Sequence, residues 1–455
     1  MIELSPEVTI VVMFGGILVG ILLGFPLAFS LSGVSMIIGF LLWGPGMFEM
    51  FYLRLYGIST EYVFLAFPLF VFMGIMVERS GVTERLFGSL YLLLGGLRGG
   101  LAISTIILGT IMAAAVGVIG ASVVMMGLIA LPAMVKRNYD GALASGAVCA
   151  GGTLGILIPP SIMLVLYGPT ATISVGELFM AAFIPGFLLS SLYIAYVAIR
   201  CLIRPELGPV MPPEQRAVPT RRKMYLLATS LMPPVILILA VLGTIFFGIA
   251  APTEAAAMGA VGAMILAFFY GTLNVKAIWE TAFRTMHTTS MALFIAIGAN
   301  MFTGTFLGMG CGDVLTELII GVPFGKWGSF ALIMIIVFLL GMFIDWIGIV
   351  LVMVPLITPI GDALGFDRLW FAMCVVVNLQ LSFMSPPFAY AIFFLRGIIP
   401  DEIGIDTNTI IRGVIPFLGL IIIGLTLMIV FPDIILWLPN VMMKRQRPLT
   451  PPKTF

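Results

Sequence analysis

Apolar residues fall along the chain in blocks near the length that spans a hydrocarbon layer, roughly 17–25 residues, at about 8–25, 27–44 and 61–78. Ile103 to Met134 is a longer apolar stretch broken by Gly117-Val118-Ile119-Gly120. A block at 141–168 contains Pro159-Pro160, and others follow at 176–199, 224–249, 253–271 and 287–309. The pattern then recurs. Phe330 to Ile360 is interrupted around Asp345-Trp346-Ile347-Gly348, 368–396 contains Pro386-Pro387, and a last block lies near 410–431. These blocks predict an all-α polytopic membrane protein with two re-entrant helical hairpins and two broken helices.

The proline pairs give the breaks their meaning. Each proline removes a backbone N–H, clashes with the carbonyl four residues back, and pushes the preceding residue out of helical geometry. Unwound backbone inside a bilayer persists only where protein or a wet cavity satisfies the freed groups. Two broken helices in matching places of two halves point to the binding site of a carrier.

The recurrence holds one register. Pro132 and Pro359 are 227 apart, as are Asp140 and Asp367, and Pro159-Pro160 and Pro386-Pro387. Arg98 and Lys326 are 228 apart in amphipathic segments before each interrupted stretch, and Ile184-Pro185 and Ile415-Pro416 are 231 apart. Several anchors at one offset indicate an internal repeat.

Composition agrees with a bilayer: 61% of the 455 residues are hydrophobic and 9% charged, with mean hydropathy +1.19, against about 25% charged in soluble domains. A net charge of +1 carries no bias toward nucleic acid. Cys149, Cys201, Cys311 and Cys374 lie singly, without metal-ligand spacing, and the single histidine, His287, excludes a His triad or multi-His metal site. The chain reads as a carrier, not an enzyme. The N-terminus lacks the basic region of a cleaved signal peptide, so its first block reads as a permanent span. Orientation comes from the loops. The longest charged segment, 200–223, is rich in arginine and is assigned to the cytoplasm. Lys136 and Arg137 join it if the first interrupted stretch is a hairpin. Five crossings then separate the hairpins, and an odd number inverts the second copy. Both termini fall outside, although the tail Lys444-Arg445-Gln446-Arg447 is basic.

Free carbonyls at a break are oxygen ligands for a hard cation, and a half-helix N-terminus presents N–H groups to an anion. The first tip offers Gly117, Gly120, Ala121 and Ser122, and its break Thr153, Gly155, Ile158, Pro160 and Ser161. The second offers Asp345 and Gly348 with Asn378, Gln380, Ser382, Ser385 and Pro387. Thr153, Ser161, Asn378 and Gln380 are assigned to substrate, together with Phe383 and Phe388. Gly117, Gly120, Ser122, Gly155, Ile158, Pro160, Asp345, Gly348, Ser382 and Ser385 are assigned to cation, and close helix packing is the competing reading for the small ones. Asp345 is the one acid deep in an apolar block. It reads as functional, or as a hairpin cap. Glu254, after Ala251-Pro252-Thr253, reads as an ordinary helix start, and His287 as interfacial. Few buried acids make a poor proton wire, so sodium is the expected coupling ion.

These residues resemble a known family, the large membrane subunit of the TRAP (tripartite ATP-independent periplasmic) transporters. The resemblance rests on Gly155-Ile156-Leu157-Ile158-Pro159-Pro160-Ser161, Ala251-Pro252-Thr253-Glu254-Ala255-Ala256, Phe343-Ile344-Asp345 with Pro355 and Pro359, and Asn378-Leu379-Gln380 through Ser385-Pro386-Pro387-Phe388. It covers nearly the whole chain. It implies a sodium-driven importer of organic acids in the bacterial inner membrane, served by a periplasmic substrate-binding protein and a small four-helix membrane subunit. It also implies an elevator-type carrier in which sodium lies where each hairpin tip meets its broken helix, with substrate between the tips. That scheme gives Gly155, Ile158 and Pro160 to one ion, and the Asp345 to Gly348 tip with Ser382 and Ser385 to the other. The implied division is scaffold at 1–80, a first transport unit at 81–168, connecting scaffold at 169–310, a second unit at 311–397, and a last span and tail at 398–455. Two departures stand out. Val116-Gly117-Val118-Ile119-Gly120-Ala121-Ser122 lacks the Ser-rich, acid-containing first tip of many members, leaving carbonyls and Ser122, and Ser385 stands where threonine is common. A self-sufficient sodium/dicarboxylate symporter and a channel or scaffold subunit are the alternatives.

Overall fold

The computed structural model describes residues 4–117, 119–212, 214, 218–387, 389–400 and 403–443. Every regular element among them is a helix, and eight helical stretches are long and apolar enough to cross a bilayer, two of them, Leu27–Thr60 and Tyr62–Arg79, only when a 3₁₀ turn is counted with its neighbouring helices. Four helices lead: α1 (Pro6–Leu22), α2 (Leu27–Trp43), α3 (Met47–Thr60) and α4 (Ala66–Arg79). A first unit follows, with an arm α5 (Val82–Leu94), hairpin limbs α6 (Gly100–Val116) and α7 (Ile119–Val135), and a broken helix α8 (Gly141–Thr153) and α9 (Ile162–Ala171). Connecting helices are α10 (Val175–Ile203), α11 (Thr220–Phe246), α12 (Pro252–Phe269) and α13 (Val275–Gly308). The second unit has an arm α14 (Cys311–Ile320), limbs α15 (Gly325–Gly341) and α16 (Trp346–Ala363), and a broken helix α17 (Arg368–Met384) and α18 (Tyr390–Ile398). Helices α19 (Thr407–Val430) and α20 (Asp433–Met442) close the chain.

The repeat anchors have local reasons to recur. Asp140 caps α8 by accepting from Leu143 N–H at 2.8 Å, and Asp367 caps α17 by accepting from Leu369 and Trp370 N–H at 2.9 and 3.0 Å. Each satisfies orphan donors at the start of a broken helix. Pro132 and Pro359 lie inside the second limbs of their hairpins. Glu254 accepts from Ala251 N–H at 2.9 Å, the helix start expected of it.

Two ends of the molecule are defined by contacts. At one, the loop after α10 is stitched to the first unit: Gly208 O accepts from Gly99 N–H, Leu207 O from Asp140 N–H, and Gly95 O from Met211 N–H, at 2.8–3.0 Å. Both open ends of the first hairpin therefore lie beside the arginine-rich loop. The second hairpin's open end gathers Lys326, Trp327, Phe330, Phe366 and Trp370 into one aromatic cluster. Helix α19 measures the separation. Its N-terminal turn lies by Gly141, where a Cβ would be 3.4 Å from Thr409, while Met428 O near its C-terminus accepts from Trp370 Nε1 at 3.1 Å. At 1.5 Å per residue the 24-residue helix is about 36 Å long, so the two hairpins open at opposite ends. Cys311 Sγ lies 3.6 Å from Pro6 O, placing the start of α1 at the end away from the loop. The basic tail from Lys444 lies outside the described residues.

Helices α3 and α20 occupy stretches where the apolar blocks predicted nothing. At 14 and 10 residues both are shorter than a span. The core is built by backbone approach. A Cβ on Gly413 would fall on Ala142 O, and one on Gly146 on Gly413 O, so α8 and α19 cross main chain to main chain. Gly413→Val should cost about 3 kcal/mol or more by overpacking, read as lost monodisperse protein and a lowered melting temperature in detergent. Gly419→Val, on the same helix with nothing within 4 Å of its Cβ, should leave both unchanged.

Candidate functional site

Both broken helices part at their prolines. α8 tightens into a 3₁₀ turn at Leu154–Ile156, the chain is non-helical through Ser161, and α9 restarts at Ile162. α17 stops at Met384 and α18 starts at Tyr390. The Pro159-Pro160 and Pro386-Pro387 peptide bonds are both cis. Ser161 Oγ donates across the first break to Ile156 O at 2.5 Å, and Ser385 Oγ donates back into α17, to Leu381 O at 2.9 Å.

The first tip meets the first break directly. Gly117 has φ +67°, and a Cβ there would be 3.3 Å from both Pro160 O and Ile162 N and 3.1 Å from Ile162 Cγ1. Val118 lies outside the described residues. Ser122 is buried, and its hydroxyl has no hydrogen-bond partner among the described residues. Gly155 is buried in the 3₁₀ turn. Ile158 packs on α10, where a Cβ at Gly186 would be 2.5 Å from Ile158 Cγ1. Gly120 turns elsewhere, with the Phe394 ring 3.1 Å from its would-be Cβ.

The second tip is differently built. Its turn runs Met342–Asp345, and Trp346 already begins α16. Gly348 is therefore inside the first helical turn, where a Cβ would overlap Leu27 of α2, so it faces α2 and not the second break. The sequence predicts an interruption that includes Gly348, but the extended backbone of Asp345 (φ −60°, ψ 150°) ends the turn three residues earlier. The Asp345 carboxylate sits against the Trp346 and Ile347 N–H groups that open α16. Ser382 lies one limb away, where a Cβ at Gly341 would overlap its hydroxyl, and Ser382 Oγ donates to Leu379 O at 2.9 Å.

A cavity of about 130 Å³ lies between the tips. Ile119 and Gly120 line it from the first tip, Asp345, Trp346 and Ile347 from the second, and Ile162, Phe383, Tyr390 and Phe394 from the breaks. Phe67, Thr288 and Met291 close it from α4 and α13. Of the residues assigned to substrate, Phe383 is on this wall, edge-on to Tyr390 with centroids 6.0 Å apart. Phe388 lies outside the described residues. Asn378 turns to the second hairpin, donating to Met334 O at 2.7 Å. Gln380 donates to Thr153 Oγ1 at 3.4 Å and to Tyr193 OH at 3.3 Å, so Thr153 and Gln380 meet each other between the broken helices. Tyr390 and Phe394 were not among the residues expected from the sequence; their i, i+4 spacing just after the second Pro-Pro is the signal that could have found them. Phe67, Thr288 and Met291 carried no signal beyond being apolar or small within spans. His287 lines a second cavity of about 450 Å³ with Glu78 and Arg284, which shares Gly120, Thr288 and Phe394 with the first.

Comparison with known proteins adds descent to this geometry. Residues 14–434 match the family model described as "Tripartite ATP-independent periplasmic transporter, DctM component". The C4-dicarboxylate TRAP transporter large permease protein DctM of Pseudomonas aeruginosa is 30% identical over 409 residues, covering 90% of this chain and 93% of the relative. The sialic acid TRAP transporter large permease protein SiaM of Vibrio cholerae is 29% identical, covering 92% and 95%. The crystal structure of the Alcanivorax borkumensis YdaH transporter superposes with a TM-score of 0.63 over 89% of this chain and 97% of that one. At 15% identity that likeness speaks to the fold alone. A family match over most of the chain, on a helical membrane fold with two broken helices around one cavity, means that this chain belongs to the DctM family, the large permease subunits of tripartite ATP-independent periplasmic transporters.

Proposed function

We propose that this chain is the carrier of a sodium-driven importer of an organic acid in the bacterial inner membrane. A periplasmic substrate-binding protein delivers the acid, and a small four-helix membrane subunit completes the assembly. The relatives named for C4-dicarboxylates and sialic acid support the substrate class. The observation that carries the reading is the Thr153–Gln380 contact. The two residues are 227 apart, the offset between the repeats. Residues related by a two-fold axis touch each other only near that axis, so the contact supports an inverted pair whose axis runs between the broken helices. Hairpins opening at opposite ends support the same arrangement. In an elevator cycle the two units would move together past the helices that supply Phe67, Thr288 and Met291.

Sodium, the co-transported substrate, takes hard oxygen ligands. Pro160 O beside the Gly117 tip, the unpartnered Ser122 hydroxyl, and Asp345 are the oxygens that suit it. Free N–H groups at the start of α9 and α18 suit the acid's carboxylate.

Proteoliposomes holding the chain with its small subunit test the proposal, with radiolabelled succinate, gluconate and N-acetylneuraminate as probes. Uptake of at least one probe is expected only when an inward sodium gradient and the binding protein are both supplied. Uptake without the binding protein would point instead to the self-sufficient symporter, and non-saturating flux to a channel. Ser385→Ala removes one hydroxyl, about 1 kcal/mol of interaction, and should raise the sodium concentration for half-maximal uptake about fivefold. An unchanged value would remove Ser385 from the ion site.

A further inference from the structure

A third cavity, of about 370 Å³, lies apart from both hairpin tips. Helix α3 contributes Arg54, α13 contributes Asn300 and Thr303, and Glu61 lies between α3 and α4. The facing wall belongs to the repeat units, with Thr170 from α9 and Leu351 from α16. The cavity therefore straddles the boundary between scaffold and transport units. It is lined by α13 on the side of the central cavity away from the arginine-rich loop.

The polar wall is built rather than incidental. Arg54 Nη1 donates to Asn300 Oδ1 at 3.4 Å, which fixes the guanidinium's direction and leaves its other donors unused by any carboxylate among the described residues. The guanidinium lies on α13 because Gly304 has no side chain there, a Cβ being 3.1 Å from Arg54 Nε. Thr303 is 5% exposed and lines the cavity, and its hydroxyl, itself shielded, has no partner among the described residues. An unpaired buried hydroxyl is costly, and a side-chain rotation toward the cavity would let a ligand oxygen beside Arg54 satisfy it. Arginine presents a planar fork that matches a carboxylate. Glu61 sets the opposite condition. It would repel a second carboxylate and accept from a hydroxyl or ammonium group.

We propose that this cavity is a carboxylate waypoint on the substrate path, selective for monocarboxylates that also carry hydroxyl or ammonium donors over dicarboxylates. The carboxylate binds Arg54 and Thr303, and the donor end faces Glu61. The proposal rests on the carrier reading above and narrows its substrate class.

Equilibrium binding of radiolabelled gluconate and N-acetylneuraminate to the purified chain with its small subunit, in the absence of binding protein, tests it. R54Q should weaken binding of both probes about tenfold or more, T303V about threefold to tenfold, and R54K should recover part of the loss. Succinate should compete about tenfold less well than gluconate. G304A should weaken binding without changing any charge, by displacing the guanidinium. Elution profiles and melting temperatures establish that each variant is folded, and T303V is nearly isosteric. Three results would each overturn the proposal: no saturable binding of either probe up to about 10 mM, equal affinity in R54Q, or equal competition by succinate. Binding lost in F383A but untouched by R54Q would assign the probe to the central cavity and overturn it too. The two readings fail separately. R54Q-sensitive binding in a protein that shows no sodium-driven uptake would sink the carrier reading alone, and sodium-driven uptake with R54Q-insensitive binding would sink this one alone.

Discussion

Gly117→Val is expected to reduce sodium-driven uptake below about a tenth of the wild-type rate while the protein remains inserted and monodisperse. Two effects combine at this position. The residue has φ +67°, a conformation that costs an L-residue roughly 1–2 kcal/mol and a β-branched one more. A Cβ would also lie 3.1 Å from Ile162 Cγ1 and 3.3 Å from the Pro160 carbonyl oxygen. The tip can relieve both only by moving off the break, and each 1.4 kcal/mol favouring that movement is tenfold in population. Gly24→Ala separates the two causes. Gly24 has φ +88° with nothing within 4 Å of its Cβ, so it carries the backbone strain without the contact and should leave uptake near wild type. If Gly24→Ala impairs uptake as strongly, or Gly117→Val leaves it intact, the tip-to-break contact is not where the ion or substrate is held.

Most of the fold was legible because its determinants are local and periodic. Span-length apolar blocks, proline pairs and the capping acids Asp140 and Asp367 act through backbone chemistry, which is the same wherever the sequence occurs. A fixed offset of 227 between matching anchors is what points to a duplication. The site was legible only in part, for the opposite reason. Which face of a half-helix meets the cavity depends on packing that no single segment specifies. Asn378 and Gln380 looked like ligands because they are polar in an apolar block. Each bonds across an element boundary, to Met334 O, or to Thr153 and Tyr193. Gly348 looked like part of a tip because it ends the interruption Asp345-Trp346-Ile347-Gly348, yet it serves the approach of Leu27. Arg54 and Asn300 are 246 positions apart and become partners only in three dimensions.

Asp345→Asn should lower sodium affinity about tenfold or more while leaving folding and insertion unchanged. The side chain could serve as a helix cap or as a charge partner, and this substitution divides the two. As the N-cap of α16, an asparagine is about as good as an aspartate, so a purely structural role predicts uptake and sodium dependence within about twofold of wild type. As a charge partner the carboxylate is irreplaceable by an amide, because a cation in a low-dielectric site loses an attraction that a dipole does not restore. The position on the cavity wall between the tips favours the charge partner, while the Trp346 and Ile347 N–H groups beside the carboxylate suit either role. Asp345→Ala removes both functions and supplies the comparison. If Asn behaves as Ala for sodium but as wild type for melting temperature, the charge is what the site needs. If Asn behaves as wild type in both, Asp345 orders the tip and the second cation lies elsewhere.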